Sequence, residues 1–89
     1  MRTDKMKRPV YTTITLPSGS EATIMEGKAG DLMDAMVAQN GNAPMAIYHL
    51  ICELSLVNGQ GITLADLREL SMADLAALAD GVSNQMQRI

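Results

Sequence analysis

Aromatic side chains are almost absent from this 89-residue chain, which contains no phenylalanine, no tryptophan and only two tyrosines, Tyr11 and Tyr48. Because 47% of its residues are hydrophobic, the chain still has enough apolar material for one core. That core must be built from Leu, Ile, Val, Ala and Met, which bury less area per side chain than aromatic residues do. We therefore expect one small domain that is marginally stable or is stabilised by forming a homo-oligomer.

Charge is unevenly distributed along the chain, whose formal net charge is −3. The first eight residues carry a net charge of +3, which leaves −6 on the remainder. Short charged termini are commonly disordered, so residues 1–8 are predicted to be a disordered basic leader and residues 9–89 a single domain. An acidic body is a poor match for a phosphate backbone, and no nucleic-acid partner is expected.

Three features of the sequence bear on the compartment. Cys52 is the single cysteine, so no intrachain disulfide is expected. The longest strongly apolar segment, residues 43–57, is shorter than the roughly 20 residues of a membrane helix, and no membrane association is expected. A secretory signal would require a hydrophobic run after the N-terminal charges, and the sequence has none there. These features predict a cytoplasmic protein.

The N-terminal part of the chain has the pattern of a β-hairpin. Residues 9–16 are rich in β-branched side chains and alternate, which predicts a strand with Val10, Ile14 and Leu16 on one face. Residues 17–20 form a turn signal, and the alternation resumes over residues 21–26. Because a lone hairpin is marginal in water, helices must cover one of its faces.

Two helices are predicted after the hairpin. The first covers about residues 31–39 and ends at Asn40 and Gly41, with Leu32, Met33, Met36 and Val37 forming one apolar stripe. The second follows Asn42 as its N-cap and covers residues 43–57. Since this segment is hydrophobic nearly all round, it must lie in the core or be covered by a partner.

Capping patterns predict two further short helices. Thr63 with Asp66, and Ser71 with Asp74, each place a hydroxyl three residues before a carboxylate. The last helix has an apolar stripe through Leu75, and its polar residues, including Asp74, are expected to face water. The predicted fold class is therefore α+β, an N-terminal β-hairpin followed by three to four short α-helices.

Side chains with catalytic or metal-binding chemistry are few. His49 is the only histidine and lies three residues before Cys52 on a predicted helix, so the two can share a face. A zinc site needs about four ligands, and no second His or Cys completes one. The dispersed carboxylates are explained by capping and solubility. We expect no enzymatic activity, no catalytic residues, no metal and no cofactor.

One segment favours a different class of protein. Residues 74–89 resemble the helix, glycine turn and recognition-helix start of repressor-type helix-turn-helix proteins, with the turn at Asp80 and Gly81. The predicted recognition helix would contain a single cation, Arg88. A small helix-turn-helix regulator of phage or prophage origin is therefore the alternative function.

The order of three motifs resembles the tail assembly chaperones of Mu-like phages. The stretch Ile14-Thr-Leu-Pro-Ser-Gly is similar to the hairpin turn of that family, and Lys28-Ala-Gly-Asp-Leu to the segment that opens its helices. The stretch Leu67-Arg-Glu-Leu-Ser-Met-Ala-Asp-Leu is similar to the motif that precedes its final helix. The resemblance covers about residues 10–86.

This resemblance implies a viral or prophage protein that holds the tape measure protein, or another tail protein, while the tail assembles. Such a protein acts in the cytoplasm of the bacterial host and is not expected in the mature virion. Its partner is a long helical chain that exposes apolar surface, which Met-rich helical surfaces are suited to cover. The residues expected to form the partner-binding surface are Met33, Met36, Met45, Tyr48 and Met86.

Overall fold

The computed structural model describes residues 8–86, which form a four-stranded antiparallel sheet and four α-helices. The predicted α+β class is confirmed. In chain order the elements are β1 (Val10–Thr15), β2 (Glu21–Met25), α1 (Ala29–Ala38), α2 (Ala43–Leu54), β3 (Ser55–Val57), β4 (Gln60–Gly61), α3 (Leu64–Arg68) and α4 (Met72–Met86). Residues 1–7, most of the predicted disordered leader, lie outside the described residues.

The predicted hairpin is present, but its first strand contains a bulge. Ile14 pairs with Ala22 and Thr12 with Ile24, whereas Val10 pairs with Met25, so one extra residue is inserted at Tyr11. A bulge of this kind reverses the side-chain alternation. The prediction that Val10 shares a face with Ile14 and Leu16 is therefore wrong, and Val10 is exposed.

The apolar segment 43–57 is a helix only as far as Leu54. Ser55–Val57 forms β3 instead, which pairs with β2 through Ile24 opposite Ser55 and Ala22 opposite Val57. Asn58 and Gly59 both have positive φ values, 51° and 82°, and join β3 to β4 in a two-residue hairpin. The type I′ turn that joins such hairpins favours Asn-Gly, because both central residues need positive φ. The prediction of one helix over residues 43–57 is therefore wrong for residues 55–57, which form a strand that this turn joins to β4.

The core lies between the sheet and the two longer helices, α2 and α4, and is aliphatic as predicted. α4 packs on α2 and on β1 and β2. The buried hydrophobic residues of this cluster are Leu16, Ala22, Ile24, Ala35, Ala46, Leu50, Ile51, Leu54, Leu67, Leu78 and Val82.

The predicted helix caps are present. The Asn42 side chain accepts a hydrogen bond from the Met45 N–H at 3.1 Å. Thr63 and Asp66 form a reciprocal capping box, with N–H donors at 2.9 and 3.2 Å from the two side-chain oxygens. The Ser71 hydroxyl accepts from the Asp74 N–H at 3.1 Å. These contacts occupy N–H groups that the first turn of a helix leaves without partners.

The prediction that Asp74 faces water is wrong. Its side chain is only 3% exposed, and its Oδ1 accepts a hydrogen bond from the Ser18 N–H at 3.0 Å. Ser18 belongs to the turn between β1 and β2, so the carboxylate ties the hairpin to the start of α4. A buried carboxylate needs such donors to offset the cost of leaving water.

α4 is one continuous helix from Met72 to Met86. Gly81 is buried in the middle of it, where an added Cβ would lie 3.2 Å from Cγ1 of Ile24. The helix-turn-helix interpretation required a turn at Asp80 and Gly81. Because no turn interrupts this part of the described chain, that interpretation loses its structural basis.

α1 begins two residues before its predicted start and exposes part of its apolar stripe. Ala35 is buried and Leu32 and Met36 are half-buried, whereas Met33 and Val37 are 65% and 79% exposed. The four apolar side chains therefore do not all face the core. Asp31 lies in the first turn, as predicted, and its carboxylate accepts a hydrogen bond from the Lys28 N–H at 2.7 Å.

Candidate partner-binding surface

An apolar groove of about 260 Å³ lies between α2, α3 and α4. Its walls are Met45 and Tyr48 of α2, Leu64 and Leu67 of α3, and Leu75 of α4, and Arg68 is the one charged residue that the described part of the chain contributes. We refer to it as the α2–α3–α4 groove. It contains two of the five residues predicted to contact a partner, Met45 and Tyr48, and both are half-buried.

The other three predicted contact residues lie elsewhere. Met86 is exposed at the end of α4 and lines a second groove of about 370 Å³, beside Leu54 and Lys28. Met33 lies on the outer surface of α1, and Met36 packs partly against the core. The structure therefore brings together only one pair of the predicted residues, and the predicted surface is divided among three regions.

Sequence reasoning missed several apolar side chains at the α2–α3–α4 groove. Neither Leu64 nor Leu75 was among the predicted contact residues, yet both line the groove, and Leu64 is exposed. Met72 is 89% exposed and lies one helical turn before Leu75, on the same side of α4. The capping box of Thr63 locates the start of α3, but nothing local indicates that α3 packs beside α2.

A third cleft of about 460 Å³ is lined by residues of β1 and α4 and has a more polar lining, which includes Tyr11, Asp80 and Asn84. It contains none of the predicted contact residues. An apolar partner therefore finds a better match in the α2–α3–α4 groove.

An ion pair holds the start of the described chain against α1. The Arg8 guanidinium donates to both carboxylate oxygens of Asp31, at 2.8 and 2.9 Å, and also to the Glu26 carbonyl at 3.2 Å. These hydrogen bonds from Arg8 hold the pKa of Asp31 below its ordinary value, against the opposing effect of burial. Arg8 was predicted to belong to the disordered leader, but it is part of the folded structure.

His49 and Cys52 are both half-buried on α2. Within residues 8–86, no three His, Cys, Asp or Glu side chains come together closely enough to hold a metal ion. The described chain likewise has no helix with the length and apolar character needed to cross a bilayer.

Comparison with known proteins adds no relative. The chain matches no protein-family profile, no curated protein and no solved structure.

Proposed function

We propose that this protein is a tail assembly chaperone of a Mu-like phage or prophage, which binds the tape measure protein through apolar helical surface and catalyses no reaction. The observation that carries the proposal is the open α2–α3–α4 groove, where Met45 and Tyr48 meet the leucines of α3 and α4. The order of the hairpin, helix-opening and final-helix motifs supports the choice of family.

The groove has the properties that a temporary cover for an apolar helix requires. Methionine side chains are flexible and polarisable, so they adapt to different apolar partners. Met72, one helical turn before the groove residue Leu75 on α4, is nearly fully exposed. The acidic remainder of the surface favours solubility while the partner is held. A chaperone of this kind needs adaptable contact and release, and not a reactive side chain.

Co-expression with a segment of the tape measure protein tests the proposal. The protein is expected to raise the soluble fraction of that segment and to co-purify with it. In the variant Met45→Glu, a carboxylate enters the groove and must be desolvated on binding, so the soluble fraction should fall. Position 45 is the third residue of α2, where Glu complements the Asn42 cap, so the fold should persist.

The matched control is Val37→Glu, which makes an apolar-to-acid change on the exposed surface of α1, outside the groove. It is expected to leave the solubility of the tape measure segment unchanged. If that segment stays insoluble with and without the folded wild-type protein, the chaperone assignment is wrong. A tape-measure reading frame next to the gene for this protein would support the assignment independently.

A further inference from the structure

We infer that the α2–α3–α4 groove receives an amphipathic partner helix that places an acidic side chain against Arg68. This inference rests on the proposed function, since it assumes a helical partner, and it adds the chemistry by which that partner is chosen. Three observations carry it: the lining of the groove, the position of Arg68 in it, and the scarcity of other cations.

Among the residues that the structure describes, Arg68 is the only charged one that lines the groove. It is exposed, and its side chain forms no hydrogen bond or ion pair with any other residue of the described range 8–86. Asp66, its nearby acidic neighbour on α3, is already engaged by the N–H of Thr63. The guanidinium therefore has its five donors available to a partner.

Cations are scarce in the described chain, which has three basic and nine acidic side chains between residues 8 and 86. Arg8 is bound to Asp31, and Lys28 lies at the second groove. An acidic side chain on a partner would be repelled by most of this surface. Arg68 is thus the place beside the apolar groove where a carboxylate is attracted.

The occupant is a helix and not a strand, because the groove is formed by side chains of three helices. A partner strand would need the backbone groups of a sheet edge, and none of the lining residues belongs to the sheet. A partner helix presents apolar side chains three and four residues apart, which suits a groove between helices.

Covering the groove partly removes Arg68 from water. Withdrawing a guanidinium from water without a partner is unfavourable, whereas a carboxylate can accept two of its hydrogen bonds in parallel. A bound helix with a neutral or basic residue at this point loses that compensation. The groove therefore selects for an acidic residue at the edge of the apolar stripe of the partner.

A displayed library of amphipathic helices tests this inference without the tape measure protein. The library keeps one apolar stripe fixed and varies the residues that flank it, and helices are selected on the full-length protein. Helices selected on the wild type should be enriched in Asp or Glu at one flanking position. Selection on Arg68→Gln should remove that enrichment, and selection on Arg68→Glu should replace it with Lys or Arg.

Lys28→Glu is the matched control, because it makes the same kind of charge reversal at an exposed lysine of the second groove. Helices selected on it should keep the acidic preference seen with the wild type. For one selected peptide, Met45→Glu should weaken binding about 10-fold or more, and Val37→Glu should leave it unchanged, with circular dichroism confirming that each variant is folded.

The inference is overturned if selection on the folded wild type yields no helix, or yields helices without an acidic preference. It is also overturned if the preference does not respond to Arg68→Glu, or if binding is unaffected by Met45→Glu. Failure of the proposed function has a different signature. In that case the tape measure segment remains insoluble on co-expression, while the charge preference of the groove is still observed.

Discussion

At the scale of single residues, the contact between Arg8 and Asp31 links the chain before β1 to the first turn of α1. Both side chains are about one-fifth exposed, and the paired geometry uses both oxygens of the carboxylate. Paired hydrogen bonds of this kind are stronger than most surface ion pairs, although solvent still screens them.

We predict that Asp31→Asn lowers the free energy of unfolding by about 1 kcal/mol at neutral pH. The pKa of Asp31 is lowered in the folded state, so its contribution is present above the ordinary value of 3.8 and is lost as pH falls through the folded pKa. The difference between wild type and variant should therefore shrink in acid. Urea unfolding at a series of pH values measures it.

Asp34→Asn is the control for this prediction, because Asp34 is exposed on the same helix. Its effect on the free energy of unfolding should be small at every pH. A loss from Asp31→Asn that stayed constant down to the most acidic pH would show that the ion pair is not the cause.

Two glycines that flank the start of α1 differ in the space around them. A Cβ at Gly27 would lie 2.8 Å from Cδ1 of Leu54, which is buried, whereas a Cβ at Gly30 meets nothing within 4 Å. The Gly27 N–H also donates to Oε1 of Gln85 at 2.8 Å, and the Gln85 amide donates to the Met25 carbonyl at 2.9 Å. Gly27 therefore lies where β2, α2 and α4 converge.

We predict opposite effects of Gly27→Ala and Gly30→Ala on stability. Gly27→Ala should lower the free energy of unfolding by about 1–3 kcal/mol, because Leu54 must shift within a packed core. Gly30→Ala should raise it by up to about 1 kcal/mol, because alanine favours the helix. Chemical unfolding of both variants under one set of conditions provides the measurement. A stabilising Gly27→Ala would contradict the close packing of Leu54 on Gly27.

At the scale of secondary-structure elements, the turn at Asn58 completes the sheet. The Asn58 N–H donates to the Glu21 carbonyl at 2.7 Å, and Oδ1 of Asn58 accepts from the Glu21 N–H at 3.1 Å. Asn58 has a φ of 51°, a left-handed backbone conformation that most residues other than glycine disfavour. One residue thus supplies both the turn conformation and a link to the start of β2.

We predict that Asn58→Ala lowers the free energy of unfolding by about 1–2 kcal/mol, because it loses the side-chain hydrogen bonds to Glu21 and Ser20 and strains the turn. Asn58→Gly should cost less, since glycine adopts the same φ freely and only the two side-chain hydrogen bonds are lost. Gln60→Ala, at an exposed position of β4, should change little. Equal losses from the alanine and glycine variants would exclude backbone strain as a contributor.

Features determined by neighbouring residues were predictable from the sequence. The Asn42 cap and the capping box of Thr63 and Asp66 each depend on groups three residues apart, so the starts of α2 and α3 follow from the local pattern. The β1–β2 hairpin likewise follows from alternation and a turn. The bulge at Tyr11 has no comparable local signal.

Features that depend on distant pairing were not predicted. Leu56 and Val57 fit the apolar pattern of the preceding helix, but in the structure they pair with β2 as part of an antiparallel strand. The Asn58-Gly59 pair was the local signal that could have revealed this hairpin. The α2–α3–α4 groove depends on packing between separate helices, so Met45 and Tyr48 could be named as contact residues, but Leu64 and Arg68 could not be placed beside them.

At the scale of the whole molecule, apolar side chains are exposed on an acidic surface. Met33, Val37 and Met72 are all more than half exposed, while the described residues contain three times as many acidic as basic side chains. Such a surface can be covered by a partner or by a second copy of the chain. Only in the second case should a groove variant such as Met45→Glu reduce the size of the particle in solution.

Binding of a tape measure segment to the full-length protein should show the thermodynamics of apolar burial. We predict a negative heat-capacity change, because apolar surface leaves water on binding. We also predict that the dissociation constant changes less than about 5-fold between low and high salt, because a single ion pair at the groove contributes at most about 1 kcal/mol. Calorimetry over a range of temperatures and salt concentrations measures both quantities.

Light scattering of Met45→Glu tests whether the groove instead joins copies of this chain. In that case the variant would form a smaller particle while its binding to the tape measure segment stayed unchanged. A steep salt dependence with no heat-capacity change would mean that charge, and not the apolar groove, holds the partner.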